Sequence, residues 1–98
     1  MKQFMVYTQF PGEPTEEFIS LIPKQRAMVH WLMRKGIIIS YTLSLDRTQL
    51  WVVMETESEV NVIEVLAEFP LIRFMKPEIQ EILFHNSIYV NIPKIMLN

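Results

Sequence analysis

Three polar side chains in this sequence occupy positions from which they could take part in chemistry. Gln25 and Arg26 lie in a predicted helix, and His85 lies at the end of a predicted strand, in the run Phe84-His85-Asn86. An imidazole gains or loses a proton near neutral pH, so His85 is a candidate general acid or base. The structural alternative is a partly exposed histidine that bonds the backbone.

Gln25 is the sharper clue because of its place on the helix. At about 100° per residue it falls in the middle of the apolar face, with Arg26 at the edge and His30 on the far side. An unpaired buried amide costs about 1–3 kcal/mol, so Gln25 must bond a backbone group or a strand side chain, or line a small polar cavity. Arg26 either pairs with a carboxylate such as Glu55 or binds an anionic ligand. The apolar face comprises Leu21, Ile22, Met28, Val29 and Leu32.

Further candidates lie on the two strands that follow the helix. Tyr41 and Trp51 are predicted to be sheet core first of all, and either could also form the wall of an apolar ligand site. Ser40 stands beside Tyr41 and offers a second hydroxyl that Gln25 or a ligand could reach. We therefore count Ser40, Tyr41 and Trp51 with Gln25 as candidate substrate-binding residues.

Several other kinds of site are not expected. The chain has no cysteine, which excludes disulfides, thiol catalysis and cysteine-based zinc sites. Neither histidine has an Asp or Glu at ligand spacing, so no metal site is predicted. Asp46-Arg47 is predicted to be a hairpin turn with a local ion pair. The glutamates at 57, 59, 64 and 68 are predicted to form a solvated helix face.

The composition predicts one small domain. The chain has 98 residues, of which half are hydrophobic, and its formal net charge is -2. Nine basic against eleven acidic residues argue against a nucleic-acid partner, which usually leaves a basic stripe on the protein. No apolar run approaches the roughly 20 residues of a membrane span, and no signal-peptide core follows Lys2. We expect a soluble, cytoplasmic protein without a membrane partner.

The hydrophobic periodicity, together with the Pro, Gly and capping residues at the element boundaries, predicts the order strand, helix, strand, strand, helix, strand. This order is a split βαβ arrangement. Pro23 interrupts the first helix, so a kink or a restart near Ser20–Pro23 is expected, with Ser20 a possible N-cap. Thr56-Glu57-Ser58-Glu59 is a capping box ahead of the second helix, and Pro70 ends that helix. The predicted elements are strand 3–10, helix 15–35, strands 37–45 and 49–55 in an antiparallel hairpin, a helix after 56–59, and strand 78–86.

Both faces of the predicted hairpin are expected to be substantially buried, because the third strand alternates Leu50, Val52 and Met54 with Trp51, Val53 and Glu55. One face of the second strand carries Ile37, Ile39, Tyr41, Leu43 and Leu45, and the other carries Ile38, Ser40, Thr42 and Ser44. Helices can cover only one face of the sheet, so the other is expected to meet a second copy of the chain. Residues 87–98 are mostly apolar and are predicted to form a C-terminal arm that makes oligomer contacts.

Four stretches between Arg26 and Phe84 together resemble the muconolactone delta-isomerase family. They are Leu32-Met33-Arg34-Lys35-Gly36, the hairpin to Glu55, Ser58-Glu59-Val60, and Phe69-Pro70-Leu71-Ile72-Arg73-Phe74-Met75. The last resembles the family's Leu-Pro-Leu-x-x-Tyr-Met segment. The isoleucines at 37–39 stand where the isomerases are polar and basic, so the chain is predicted to be a divergent member.

The resemblance implies a ferredoxin-like α+β domain with a four-stranded antiparallel sheet that pairs by its sheet, as a dimeric α+β barrel. It implies proton transfer on a small, anionic, partly apolar substrate without a cofactor, which requires an acid, a base and a cation for the carboxylate. In that scheme Arg26 holds the carboxylate, His85 transfers the proton, and Gln25 and Tyr41 orient the ligand.

Two alternatives to an isomerase-like enzyme stay open. The chain could be a non-catalytic small-ligand-binding or assembly module, with Gln25 bonded internally and the apolar surfaces used for a homodimer or a higher oligomer. A haem-binding monooxygenase of the same barrel class would need an axial histidine facing a wide apolar cleft, and His30 is the helical candidate.

Overall fold

The computed structural model describes residues 1–87, so the predicted arm lies outside the described residues apart from Ser87. The chain folds into a ferredoxin-like α+β domain with one four-stranded antiparallel sheet, in the order β2-β3-β1-β4, as predicted. The elements are β1 (Lys2–Gln9), α1 (Glu16–Arg34), β2 (Ile38–Leu43), β3 (Gln49–Thr56), α2 (Glu59–Ala67) and β4 (Glu78–Ile82), with a 3-10 turn at Ile72–Phe74.

The core lies between the helices and one face of the sheet. Period-two alternation sends Phe4, Val6 and Thr8 of β1 to that face, where all three are buried, as the sequence predicts. Strand β3 contributes alternate residues to the same layer, because Phe4 pairs with Met54 and Val6 with Val52. The remaining buried apolar residues are Phe10, Val29, Leu32, Ile38, Leu50, Val53, Val62, Leu66, Phe69, Leu71 and Met75.

Helix α1 is continuous through Pro23, so the predicted restart with Ser20 as N-cap is wrong. The N-cap is Thr15, whose hydroxyl accepts a hydrogen bond from the Phe18 amide at 3.1 Å. The Ser20 hydroxyl instead donates to the Glu17 carbonyl at 2.7 Å. Pro23 leaves the carbonyl of Ile19 without its helical donor, but Ile19 is exposed, so the helix tolerates the loss.

A bulge in β2 changes the predicted strand faces. Ile38 pairs with Met54 and Ser40 pairs with Val53, so Ile39 is an extra residue between them. Ile38 is therefore buried against the helices, on the same side as Tyr41, and the alternation that grouped Ile38 with Ser40 is wrong. The bulge explains how one strand directs both residues inward.

The second half of the chain follows the prediction with shifted boundaries. The N-cap of α2 is Ser58, whose hydroxyl accepts from the Asn61 backbone amide at 3.4 Å, so the capping box predicted to start at Thr56 is wrong and the cap lies two residues later. The Thr56 hydroxyl donates to the Ser58 carbonyl at 2.8 Å. Helix α2 ends at Ala67, before Pro70, and β4 ends at Ile82 rather than near residue 86.

The β2–β3 turn is held by one carboxylate. An Asp46 oxygen accepts from the Ser44 hydroxyl at 2.7 Å, the Thr48 amide at 3.0 Å and the Thr48 hydroxyl at 2.8 Å. Arg47 adopts a positive φ of 65° and makes no ion pair within residues 1–87, so the predicted Asp46–Arg47 pair is wrong. The hydroxyl of Ser44 and the bonds from Thr48 lower the pKa of Asp46.

Replacing Asp46 should make the stability of the hairpin less dependent on pH. Because the folded-state pKa is lowered, the stabilisation is fully present above the ordinary pKa of an Asp, declines below it, and is gone below the folded-state value. We expect Asp46→Ala to lower the thermal midpoint at neutral pH, and the difference from the parent to vanish in strong acid. Asp46→Asn, which keeps an acceptor oxygen, should lower the thermal midpoint by less than Asp46→Ala does. Equal midpoints at neutral pH would contradict this account.

Candidate functional site

A buried amide joins three parts of the molecule. Gln25 is only 3% exposed on the sheet-facing side of α1. Its Nε2 donates to the Tyr41 hydroxyl oxygen at 3.3 Å, and its Oε1 accepts from the Leu71 amide at 3.2 Å. The side chain thus links α1 to β2 and to the segment after α2. Both ends of the amide are bonded within the protein, as the structural alternative for Gln25 anticipated.

The hydroxyl proton of Tyr41 has no hydrogen-bond acceptor within residues 1–87. The hydroxyl oxygen itself accepts a hydrogen bond from Gln25. Burial raises the pKa of Tyr41, while the hydrogen bond from Gln25 acts in the opposite direction. Tyr41 is therefore a neutral, partly buried phenol at physiological pH, and it can donate a hydrogen bond to a ligand oxygen.

Arg26 is exposed, and no ion pair among residues 1–87 neutralises its charge. It follows Gln25 on α1. The pairing with Glu55 that the sequence suggested is therefore not formed. A free guanidinium at this edge is suited to a carboxylate, which it can bind with two parallel hydrogen bonds.

Ser40 and Trp51 lie on the other side of the sheet, which we call the outer face because neither α1 nor α2 covers it. Ser40 is paired with Val53, and Trp51 with Thr42. The Trp51 ring packs against Tyr7, with ring centres 5.7 Å apart and planes inclined by 40°. The sheet thus separates these two candidates from Gln25 and the Tyr41 side chain.

The structure does not bring His85 together with Tyr41. His85 follows β4 and its amide donates to the Gln3 side chain at 2.8 Å. Strands β4 and β2 are opposite edges of the sheet, three strand spacings or about 14 Å apart. His30 is exposed on the far side of α1, as predicted, so it does not face an interior cleft.

Residues 1–87 form two clefts of similar size, and none of the six predicted site residues lines either one. The first, of about 560 Å³, lies at one end of the sheet beside Gln3, Ile82 and Phe84. The second, of about 550 Å³, lies between α1, α2 and the end of β3, and we call it the helix cleft. The sequence analysis placed three of its four glutamates, Glu57, Glu64 and Glu68, on a solvated helix face, and it did not predict the cleft because a groove between helices depends on how they pack.

Neither a metal-binding cluster nor a membrane-spanning helix occurs among residues 1–87. Within residues 1–87 no group of three or more His, Cys, Asp or Glu side chains is arranged to hold a metal ion. In the same residues, no helix has the length and apolar character needed to cross a bilayer.

Comparison with known proteins identifies the fold. No family model matches the sequence, and no curated protein matches it. A solved structure of muconolactone isomerase superposes with a TM-score of 0.71 at 18% identity, covering 87% of this chain and 92% of that chain. This chain has the fold of muconolactone isomerase.

A second solved structure shares the muconolactone isomerase fold. It is 5-chloro-2-hydroxyhydroquinone dehydrochlorinase from Burkholderia phenoliruptrix, in complex with 2,5-dihydroxybenzoquinone. Its TM-score is 0.59 at 16% identity, and the match covers 89% of this chain and 97% of that chain. At these identities the two likenesses establish the fold, and the sequence resemblance to the isomerases is confirmed at that level.

Removing the Gln25 amide should destabilise the domain. Gln25→Leu would leave the Leu71 amide and the Tyr41 hydroxyl without their partner, which costs about 1–3 kcal/mol for a buried polar group. Urea unfolding followed by circular dichroism measures the loss. Lys24→Leu is the matched control, because Lys24 is exposed on the same helix. If both variants unfold at the same urea concentration, the bridge contributes nothing.

Proposed function

We propose that this chain is a small-molecule-binding protein that transfers a proton on a small, anionic, partly apolar substrate without a cofactor. The proposal draws support from its two structural neighbours. One is an isomerase named for a lactone, and the other is a dehydrochlorinase bound to a dihydroxybenzoquinone. Proton transfer between two carbons of one substrate consumes no oxidant or reductant, so the protein has to supply only acid, base and charge stabilisation.

The observation that carries the proposal is the Tyr41 hydroxyl. Gln25 holds its oxygen at 3.3 Å, and its proton has no acceptor within residues 1–87. A phenol fixed in this way can donate to a substrate oxygen on which negative charge develops. Arg26, one residue after Gln25, would bind the carboxylate of the substrate.

The proton-transfer role proposed for His85 requires more than one chain. Tyr41 and His85 belong to opposite edges of the sheet, so they cannot contact the same small substrate within one domain. In this proposal His85 of one copy meets the Tyr41 region of another. Ser40 and Trp51, on the outer face, would contact ligand only where two copies enclose it.

Deuterium exchange tests the proposed chemistry. Muconolactone incubated with the protein in D₂O should exchange its proton for deuterium at the carbon that is deprotonated, and the isomer formed should carry deuterium at the carbon that is reprotonated, as followed by proton NMR. Tyr41→Phe keeps the ring but removes the donor, and it should slow exchange about 100-fold. Ser20→Ala removes an exposed α1 hydroxyl and should leave the rate unchanged. No exchange with the parent protein would contradict a catalytic role toward this lactone.

A non-catalytic binding or assembly module is the second candidate. It is favoured by the complete internal bonding of the Gln25 amide and by the absence of the predicted site residues from both clefts. Binding of muconolactone or 2,5-dihydroxybenzoquinone without deuterium exchange would support this candidate over the enzyme.

The outer face supports a proposed homodimer or higher oligomer. Both helices lie on the opposite face, yet Val53 is buried, and Met5, Tyr7 and Trp51 are half-buried among their neighbours. A sheet with two apolar faces and helices on only one requires a further covering layer. A second copy of the same chain supplies it by self-association.

A charge on the outer face should dissociate the proposed oligomer. Trp51→Glu would place a carboxylate where a second sheet packs, and sedimentation velocity should show a change from dimer or larger to monomer. Trp31→Glu, on α1, is the matched control and should leave the assembly intact. Circular dichroism confirms that each variant folds. A monomeric parent protein would show that the outer face is not an interface.

A further inference from the structure

The helix cleft combines an apolar floor with an aromatic side wall. Its volume is about 550 Å³, which lies within the range of small-molecule sites in proteins. Trp31 stands at its edge and is 47% exposed. The apolar lining residues are Met1, Met28, Trp31, Leu32, Ile37 and Val65.

The charged side chains that line the cleft are all acidic, and Met1 contributes the N-terminal ammonium group. Four of the chain's eleven acidic residues line the cleft, and none of its nine lysines and arginines does. The four are Glu55, Glu57, Glu64 and Glu68. Within residues 1–87 none of them forms an ion pair. The Asn61 side-chain amide nitrogen Nδ2 donates to the Glu64 carboxylate at 3.0 Å, which fixes one carboxylate on the wall of the cleft.

Trp31 already holds a cation in this structure. The Lys35 ammonium nitrogen lies 5.2 Å from the centre of the Trp31 ring, although Lys35 does not line the cleft. The face of an indole ring attracts an ammonium group, most strongly where water is partly excluded. Carboxylates, an indole and an aliphatic floor together match an organic cation with an apolar body.

We propose that the helix cleft binds a small organic ammonium ion that carries an apolar group. The apolar group would rest on Met28, Leu32 and Val65, and the ammonium group would face the glutamates at the rim. An anionic molecule of the same shape is disfavoured, because four carboxylates would repel it. The site is separate from the proposed proton-transfer site, since neither Arg26 nor Tyr41 lines this cleft.

Paired probes of opposite charge test the proposal. The full chain is titrated with 2-phenylethylammonium and with 3-phenylpropanoate, which have similar size, while the Trp31 indole and Asn61 side-chain amide signals are followed by NMR. The ammonium ion should saturate these shifts, and the carboxylate should leave them unchanged. Equal binding of the two probes, or binding of neither, overturns the proposal.

Charge removal provides the second arm of the test. The variant Glu57→Gln/Glu64→Gln/Glu68→Gln should weaken binding of the ammonium probe about tenfold, since each exposed charge contributes a few-fold. The control Glu13→Gln/Glu16→Gln/Glu78→Gln makes the same change in net charge away from the cleft and should bind as the parent does. Equal affinities in the two variants would overturn the proposal, as would much tighter binding of a lysine-containing peptide at the same signals.

Discussion

The arrangement of this domain depends on the hydrogen bonds of one buried amide. Gln25 lies in the middle of the apolar face of α1, where an unsatisfied polar group would be costly. Its two bonds fix the helix against β2 through Tyr41, and against the segment after α2 through the Leu71 amide. Within residues 1–87, the proton of the Tyr41 hydroxyl has no acceptor. The Tyr41 hydroxyl therefore has two roles in this account: its oxygen accepts the structural bond from Gln25, and its proton is the proposed donor to a substrate.

The second constraint on the structure is that α1 and α2 cover only one face of a sheet whose two faces both carry apolar residues. Two helices and the 3-10 turn pack on one face, while the outer face presents Tyr7, Trp51 and Val53. Burial of apolar area is the main favourable term in folding and association, so an apolar outer face favours self-association. The helix cleft differs from both surfaces because its apolar floor is ringed by carboxylates.

Much of this architecture follows from local pattern. Alternation in β1 predicted that Phe4 and Val6 face the core, and helical spacing placed Gln25 among the buried residues of α1. The Leu71 partner of Gln25 is 46 residues away in the chain, which no local pattern reveals. The bulge at Ile39 depends on how β2 pairs with β3. The helix cleft likewise exists only once α1 and α2 have packed on the same face of the sheet.

The central claim is that this chain binds a small molecule as an assembly of identical copies. Native mass spectrometry of the purified protein, under conditions that preserve bound ligands, tests it most directly. The account predicts a mass of twice the chain, or a higher multiple, that carries a discrete additional small mass. A single-chain mass without an adduct across a wide range of protein concentration would contradict both the covering of the outer face and the proposed function.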